Sequence, residues 1–259
     1  MRAKKSYGQH FLNNEAIAER IADSLLLTDS YAKIVEVGPG RGMLTKHLLK
    51  KDKELVVIEA DRDMVFSIQK NFPELKGQII AADFLKVPLK TFLKDEPFAL
   101  IGNYPYNISS QILFKMLEYR EQIPEMVGMF QKEVADRIVA PAGNKIYGVT
   151  SVLVKAYYDG KVLFNVGSGN FNPPPKVESA VIRLVRKTEP LGCDYKLLRQ
   201  VVKQSFGQRR KMLRNTMKSF SEDPEFLNLP ILEERPEQLS LEDFVVLTNL
   251  IEKYRKMDS

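Results

Sequence analysis

The feature that most constrains the fold is a series of short apolar segments that alternate with stretches of helical periodicity. We predict the first four strands over 33–37, 54–59, 77–83 and 98–103. Between these segments, apolar residues recur three and four positions apart, which is typical of amphipathic helices. Strands that alternate with helices at this spacing form βαβ units around a parallel sheet. The sequence therefore predicts an α/β domain with a Rossmann-like sheet and helices on both of its faces.

The same pattern continues beyond the fourth strand. We predict further helices over 109–119 and 132–140 and further strands over 126–131, 160–166 and 177–186. The last two strands look like an antiparallel pair that closes one edge of the sheet, with a proline-stiffened loop at 170–176 between them. The apolar spacing after Tyr147 is helical. Near the N-terminus, Asn13 or Asn14 can cap a helix that runs to about Leu27.

The composition of the chain changes near Thr188, and the sequence beyond it has no convincing strand pattern. Three stretches with helical spacing follow, namely DYKLLRQVVKQSF, QRRKMLRNTMKSF and SLEDFVVLTNLIEKYRK, the last with Ser240 as its N-cap. We therefore predict two domains. Residues 1–187 form the α/β domain, and residues 188–259 form a small all-helical domain joined to it through the segment EPLGCD.

Length and composition argue against several classes of protein. With 259 residues, of which 44% are hydrophobic, the chain can bury a substantial core. Its apolar runs are shorter than the roughly 18 residues that a membrane span requires, and its basic N-terminus lacks the apolar core of a signal peptide. One cysteine and two histidines exclude a disulfide framework and argue against a metal site built from Cys and His. We expect a cytoplasmic protein with no membrane segment and no metal.

Basic and acidic residues are distributed unevenly along the chain, whose net charge is +6. The segment 186–221 holds ten Lys or Arg residues against two acidic ones, whereas 222–259 holds four against ten. This asymmetry indicates a surface that contacts a polyanion, although a solvated helix face is the alternative from charge alone. The candidate phosphate contacts are Lys4, Lys5, Arg209, Arg210, Lys211 and Arg214.

Three successive strand ends are suited to a cofactor that contains adenosine. A glycine-rich turn follows the first strand, where Gly38 and Gly40 can bring a ligand close to the backbone. Glu59 ends the second strand, and its carboxylate can accept both hydrogen bonds of a ribose diol. Asp83 ends the third strand beside Phe84, which suits the amine and the ring of adenine. Each feature alone has a structural alternative, a tight turn or a helix cap. Together they favour S-adenosylmethionine over NAD(P), the second candidate, because the glycine spacing differs from G-x-G-x-x-G.

The fourth strand ends in Asn103-Tyr104-Pro105-Tyr106, which suits an adenine amine as the reacting group. This amine is a poor nucleophile because its lone pair is delocalised into the ring. We expect the Asn103 side-chain oxygen and the Tyr104 carbonyl to accept its two N–H bonds. Pro105 would aim the two acceptors, and Tyr106 would stack on the base. The alternative is an Asn-x-Pro turn with packing tyrosines. Methylation of a cytosine ring carbon would need a nucleophilic cysteine, and Cys193 lies in the linker.

Phe171 opens the proline-rich loop FNPPPK. An aromatic side chain in a stiff loop beside the sheet edge can stack on the second face of a displaced base. The alternative is that Phe171 is a hydrophobic plug of the domain junction.

These segments together resemble the ribosomal RNA adenine dimethyltransferase family, in particular its bacterial small-subunit members, whose loss confers kasugamycin resistance. The resemblance rests on KKSYGQHFLNN, VEVGPGRGMLT, VVIEADRD, AADFL, GNYPYNIS, QKEVADRIVA, FNPPPKVESAVIRL and FGQRRKMLRN, which extend over almost the whole chain. Members transfer methyl groups from S-adenosylmethionine to two adjacent adenines near the 3′ end of small-subunit rRNA, two to each. The resemblance implies a methyltransferase of this type that acts on immature 30S subunits and serves as a late checkpoint in their assembly.

The resemblance also assigns roles to individual residues. It places the cofactor against His10, Leu12, Gly38, Gly40, Glu59, Asp83 and Asn103. It further assigns Asn103 to the target amine, and Tyr106 and Phe171 to the two faces of the target base. The chain departs from the family at Tyr104, where Leu is common, and at His10, where Asn is frequent. The proposed contact at Tyr104 is made by the main chain, so it does not depend on the side chain. A main-chain contact at His10 would also not depend on the side chain. We therefore expect little change in chemistry.

Two other functions remain open from the sequence. The macrolide-resistance dimethylases share the fold and act on large-subunit rRNA, although the continuous FGQRRKMLRN module favours the small subunit. A non-catalytic assembly factor would bind rRNA through its basic surfaces but would need none of Glu59, Asp83 and Asn103. We expect a monomer in which residues 188–259 bind rRNA.

Overall fold

The computed structural model describes residues 8–257 of the protein. The chain divides into two compact units. The first extends to Ala135 and includes Gly160–Arg186. The second combines Asp136–Asp159 with the chain from Lys187 onward.

The predicted domain boundary between 187 and 188 lies one residue from the break after Arg186. Residues 136–159, however, which the sequence places in the α/β domain, belong to the second unit. The buried Tyr147 packs there edge-on against Phe206, with ring centroids 6.0 Å apart. The helical spacing of 136–159 does not specify which unit the segment packs in, so the sequence pattern did not reveal this arrangement.

The structure contains nine strands in the described part of the chain. They are β1 (Phe11–Leu12), β2 (Lys33–Val37), β3 (Glu54–Glu59), β4 (Ile79–Ala81), β5 (Phe98–Asn103), β6 (Glu125–Gln131), β7 (Tyr158–Val166), β8 (Phe171–Asn172) and β9 (Ser179–Arg186). Seven of them form one sheet in the order β4-β3-β2-β5-β6-β9-β7, and β1 pairs with β8 separately. Strands β2 to β6 are parallel, whereas β9 is antiparallel to β6. This is the predicted Rossmann-like α/β sheet, with the two predicted edge strands, β9 and β7, as neighbours at one edge.

The helices alternate with these strands and then follow them. They are α1 (Glu15–Ala22), α2 (Thr45–Leu48), α3 (Arg62–Asn71), α4 (Leu89–Leu93), α5 (Ser109–Glu118), α6 (Lys132–Val139), α7 (Val149–Lys155), α8 (Tyr195–Gly207), α9 (Leu213–Met217), α10 (Pro224–Leu227) and α11 (Leu241–Met257). Asn14 caps α1, since its side-chain oxygen accepts the Ile17 N–H at 3.2 Å. None of the helices in the described range has the length and hydrophobicity that a bilayer span requires.

Helix α1 ends at Ala22, five residues before the predicted end at Leu27. The cause is Glu125, a fully buried residue of β6. Its carboxylate accepts the main-chain N–H groups of Leu26 (3.0 Å) and Leu27 (2.7 Å) and the hydroxyl of Tyr31 (2.6 Å). The chain beyond the helix therefore satisfies a buried carboxyl group, a contact that local periodicity does not encode.

The strand order reverses at β2, with β3 and β4 on one side and β5 and β6 on the other. Right-handed crossovers in the two directions place helices on opposite faces of the sheet, and ligands bind at the carboxyl ends of the strands beside such a switch point. Residues such as Ile34 and Leu100 in the central strands are fully buried, as expected for strands covered on both faces. The carboxyl ends of β2 and β5 therefore mark the expected site.

The second unit is built from helices around an aromatic cluster. The Phe206 ring of α8 lies 6.0 Å from the Phe244 ring of α11, centroid to centroid. Asp194 caps α8 by accepting the Leu197 N–H at 2.6 Å. Ser240 caps α11 as predicted, because its hydroxyl accepts the main-chain N–H of the first turn at 3.1 Å.

Candidate active site

A cavity of about 460 Å³ lies at the carboxyl ends of β2, β3 and β5, in the first unit. Most of the residues predicted to bind the cofactor or the target amine line it, namely His10, Leu12, Gly38, Gly40, Glu59, Asp83, Asn103, Tyr104, Pro105 and Tyr106. The structure thus brings together, at the topological switch point, side chains from segments far apart in the sequence.

The glycine turn after β2 has a conformation that favours glycine. The φ angles are 68° at Gly38 and 55° at Gly40, both in the left-handed region. A Cβ atom at Gly40 would lie 2.9 Å from Cδ1 of Phe11, whereas one at Gly38 would meet only Pro105, at 3.8 Å. The Gly38 N–H donates to the carbonyl of Ile58 at 2.9 Å, so the turn is fixed against β3.

Glu59 ends β3 and presents a nearly buried carboxylate, 7% exposed, to the cavity. Its Oε1 accepts the Asp61 N–H at 2.8 Å, and its Oε2 accepts the Gly40 N–H at 3.4 Å. Burial raises the pKa of Glu59, and these two main-chain N–H groups act in the opposite direction. The carboxylate is therefore oriented between the glycine turn and the start of α3, where a diol could donate to it.

Glu36 is a cavity residue that the sequence prediction missed. It is 1% exposed, and the Thr45 hydroxyl donates to its Oε2 at 2.7 Å. Burial, reinforced by the nearby charge of Glu59, raises the pKa of Glu36 to about 8. The signal was present as a single acid inside the apolar strand KIVEV, because a carboxyl buried in a strand needs a specific partner.

The segment after β4 supplies Asp83 and Phe84 to the cavity. The Asp83 Oδ1 accepts the Leu85 N–H at 3.0 Å, and the Asp83 carbonyl accepts the N–H groups of Lys86 and Val87 at 2.9 and 3.1 Å. Asp83 is half-buried, whereas Phe84 is only 3% exposed. The carboxylate is thus held on a compact turn that faces the site.

Asn103 ends β5, and its side-chain amide has a defined orientation. Its Nδ2 donates to the main-chain carbonyl of His10 at 3.0 Å. The amide oxygen therefore points away from that carbonyl and keeps its capacity to accept hydrogen bonds.

Tyr104 and Tyr106 have different environments. Tyr104 is 1% exposed, and a Cβ atom at Gly128 would lie 2.0 Å from its Cε2. Its ring therefore fills a niche above glycine positions of the sheet. Tyr106 is half-buried at the cavity, and its hydroxyl lies 2.5 Å from Oγ of Ser179. Only Tyr106 presents its ring where a ligand could stack.

The N-terminal segment crosses the cavity. Gln9 donates to Oδ2 of Asp61 at 2.9 Å, and the His10 Nδ1 donates to the carbonyl of Pro173 at 2.8 Å. The His10 ring stacks on Tyr106 with centroids 5.3 Å apart and an interplanar angle of 26°. Leu12 is buried in strand β1. Gln9 was not among the predicted site residues, and no signal in the sequence beyond its position in the GQHFL segment pointed to it.

The ring of Phe171 is buried. It is 3% exposed, belongs to the apolar core, and is paired through β8 with Leu12 of β1. It does not line the cavity that holds Tyr106. The strand pairing of β1 and β8, which the loop sequence does not reveal, places the ring in the core, and the assignment of Phe171 to the target base stays a prediction.

Some of the basic residues predicted to contact phosphate are paired within the protein, whereas others are exposed to solvent. Arg209 lies 3.7 Å from Glu237 and donates to the Asn144 carbonyl at 3.3 Å. Arg214 donates to Glu233 at 3.1 Å. By contrast, Arg210 and Lys211 are exposed. Lys4 and Lys5, the other two predicted contacts, lie outside the described residues.

No cluster of three or more potential metal-ligating side chains occurs among residues 8–257. The site instead combines a glycine turn, carboxylates and an amide at the ends of parallel strands. Such an arrangement can hold a ribose and an adenine, and it leaves an amide acceptor and an aromatic ring beside them.

Similarity to known proteins extends over almost the whole chain. A sequence profile described as Ribosomal RNA adenine dimethylase matches residues 1–252. A Ribosomal RNA small subunit methyltransferase A from Cytophaga hutchinsonii is 51% identical over 253 residues, which cover 97% of this chain and 98% of that protein. The protein of the same name from Parabacteroides distasonis is 51% identical over 257 residues, which cover 98% and 96%.

Solved structures agree with this similarity. The crystal structure of a dimethyladenosine transferase from Plasmodium falciparum superposes with a TM-score of 0.80 at 25% identity and covers 95% of this chain and 98% of that one. The 23S rRNA methyltransferase ErmE gives a TM-score of 0.66 at 24% identity, over 92% and 99%, which shows the shared fold. The chain therefore belongs to the ribosomal RNA adenine dimethylase family.

Proposed function

We propose that the protein transfers methyl groups from S-adenosylmethionine to the N6 atoms of two adjacent adenosines near the 3′ end of small-subunit rRNA, within immature 30S particles. The observation that carries this proposal is the single cavity that brings Glu59, Asp83 and Asn103 to the switch point of the sheet. Relatives that are about half identical and named for the small ribosomal subunit support the choice of substrate.

The cavity residues fit the proposed cofactor. Glu59 would accept the ribose hydroxyls and Asp83 the adenine amine, while the turn at Gly38 and Gly40 lets the ligand approach the main chain. S-Adenosylmethionine supplies a methyl group already activated by its sulfonium charge. Because the donor is activated, the protein needs only to bind it, exclude water and orient the nucleophile.

Asn103 and Tyr106 would prepare the target amine. The Asn103 oxygen, oriented by the bond from Nδ2 to His10, would accept one N–H of the adenine amine, and the Tyr104 carbonyl the other. Two such acceptors localise the nitrogen lone pair for attack on the methyl carbon. After attack, the positively charged nitrogen loses a proton to water. Tyr106, anchored by Ser179, would stack on the base and hold it in place.

The His10 ring occupies part of this arrangement. Its centroid lies 5.3 Å from that of Tyr106. A base inserted between the two rings would need them roughly 7 Å apart, which is twice the ordinary stacking distance. A base can therefore stack on that face of Tyr106 only after the His10 ring moves. Because Phe171 lies in the core, Tyr106 is the one ring that we propose to stack on the target base.

The second unit would bind rRNA through its exposed cations. Arg210 and Lys211 are exposed, and so are Lys196, Arg199 and Lys203, which share one side of α8 at spacings of three and four. A stripe of this kind can follow a phosphate backbone. The proposal thus moves the main contact surface away from Arg209 and Arg214, which are ion-paired. We further infer that the protein is cytoplasmic and acts as a monomer.

Two measurements test this function. Calorimetry should detect binding of S-adenosylmethionine, and methyl label from this cofactor should enter undermethylated 30S particles rather than 50S particles. Binding of particles without binding of the cofactor would instead support the non-catalytic assembly factor. Incorporation into 50S particles alone would support the macrolide-resistance type of activity.

A further inference from the structure

Lys115 is a buried lysine of helix α5 that the proposed mechanism does not use. It is only 7% exposed. Its Nζ donates to two main-chain carbonyls, those of Phe84 and Val87, each at 2.5 Å. Burying an ammonium group is costly unless it is hydrogen-bonded, so these two carbonyls stabilise the charge and are in turn fixed by it.

The two carbonyls belong to the turn that carries Asp83. This turn, 83–87, is closed by hydrogen bonds from Lys86 and Val87 to the Asp83 carbonyl at 2.9 and 3.1 Å. The Lys115 Nζ also lies 5.0 Å from the centre of the Phe84 ring, within the range of a cation–π contact. Lys115 therefore contacts the turn at its second and last residues and at the aromatic ring of Phe84.

Helix α5 connects this turn to the other half of the site. The helix begins at Ser109, directly after the segment 103–108, and the Ser109 hydroxyl donates to the Tyr106 carbonyl at 3.2 Å. Ile112, Leu113 and Met116 are fully buried, so the helix is fixed against the sheet. One short, well-packed helix thus carries the target-amine segment at its N-terminus and the anchor of the Asp83 turn two turns later.

We propose that Lys115 is a positioning residue that sets the place of the Asp83 carboxylate, the acceptor for the adenine amine, relative to the segment 103–108. The inference rests on the proposed function, because it takes Asp83 to be the adenine contact. Through Lys115, the contact between Asp83 and the adenine of the cofactor is linked to helix α5, which carries the target-amine segment at its N-terminus.

The test uses the full-length protein and two ligands that differ at the adenine amine. S-Adenosylhomocysteine carries the amine, whereas S-inosylhomocysteine carries a carbonyl oxygen in its place. Calorimetry on Lys115→Met, which keeps an unbranched side chain one atom shorter and removes its donors, should show affinity for S-adenosylhomocysteine about tenfold weaker. The preference for the adenosyl ligand should fall to near unity. The KM for S-adenosylmethionine should rise while kcat at saturation changes by less than about threefold.

Two control variants separate positioning from stability. Met116→Ala removes a fully buried side chain from the next position of the same helix without touching the turn, and it should keep the ligand preference at a comparable loss of stability. Lys86→Met removes an exposed lysine from the turn itself and should leave binding unchanged. If Lys115→Met does not fold, Lys115→Gln, which keeps an N–H donor, replaces it. Its preference for the adenosyl ligand should be weaker than that of the wild type and of Met116→Ala but still above unity.

The outcomes are distinguishable. The inference is overturned if both Lys115 variants retain the wild-type preference for the adenosyl ligand. It is also overturned if Met116→Ala loses this preference to the same extent. Either result leaves the proposed function intact. A wild-type protein without such a preference removes the adenine contact of the proposed function, and the inference with it.

Discussion

The side-chain amide of Asn103 donates to the main-chain carbonyl of His10 over 3.0 Å. Through this bond, a segment near the N-terminus orients an amide at the end of the central strand β5, 93 positions further along the chain. The contact uses the His10 backbone, so the identity of the side chain at position 10 does not determine it.

This geometry predicts the effect of changing His10. His10→Asn should bind S-adenosylmethionine within about threefold of the wild type, because the carbonyl that orients Asn103 is kept. Calorimetry measures this affinity, and the wild-type protein serves as the reference. A loss of more than tenfold would show that the imidazole itself, rather than the main chain, contributes to the cofactor site.

Glu36 should make the stability of the protein depend on pH. Burial raises its pKa from 4.5 to about 8, so the folded state binds this proton more tightly than the unfolded chain does. Its contribution to the free energy of unfolding is therefore greatest below pH 4.5 and declines as the pH rises to about 8.

Glu36→Gln removes the titrating group. Its free energy of unfolding, measured in urea, should decline less between pH 5 and pH 9 than that of the wild type, by up to about 4 kcal/mol. Parallel pH profiles for the two proteins would contradict the assignment of a raised pKa to Glu36.

The niche around Tyr104 predicts a coupled pair of substitutions. Gly128→Ala places a Cβ atom 2.0 Å from the Tyr104 ring and should destabilise the protein by about 2–3 kcal/mol. Adding Tyr104→Leu should recover part of this loss, because the smaller side chain vacates the niche. Gly169→Ala, where a Cβ atom meets nothing within 4 Å, is the matched control. If the changes in the free energy of unfolding of the two single variants simply add in the double variant, the side chains at positions 104 and 128 are not in contact.

The exposed cations of the second unit predict a change in salt dependence. Replacing Arg210 and Lys211 together by Gln should weaken 30S binding and reduce the slope of log K against log salt by about 1.5, if each contacts one phosphate. Arg214→Gln is the control, since Arg214 is paired with Glu233 and should leave the slope unchanged. An unaltered slope in the double variant would identify those two side chains as solvated surface.

Much of the first unit could be predicted from local patterns. The strands β2, β3 and β5 follow their apolar segments closely, and the residues at their carboxyl ends meet in one cavity because parallel strands share that edge. The position of each strand end at the cavity was therefore readable from residue type and position, whereas the role of each residue stays a prediction. His10 and Leu12 also line the cavity, although only the family resemblance, and not periodicity, had indicated them.

The remaining features depend on contacts between distant segments. Phe171 turns into the core because β8 pairs with β1, and the chain beyond α1 is held by the carboxylate of Glu125, which accepts the N–H groups of Leu26 and Leu27. Lys115 looks like an ordinary polar position of an amphipathic helix until its Nζ is seen between two carbonyls. Such contacts are tertiary, and hydrophobic periodicity carries no record of them.

The most direct measurement is methylation of undermethylated 30S particles with labelled S-adenosylmethionine, followed by mapping of the modified bases. The wild-type protein should dimethylate two adjacent adenosines near the 3′ end of the small-subunit rRNA. Asn103→Ala should bind the cofactor measurably but transfer methyl groups at least about a hundredfold more slowly. Full activity of Asn103→Ala would rule out the proposed role of this amide, and modification of bases other than adenine would rule out the proposed substrate.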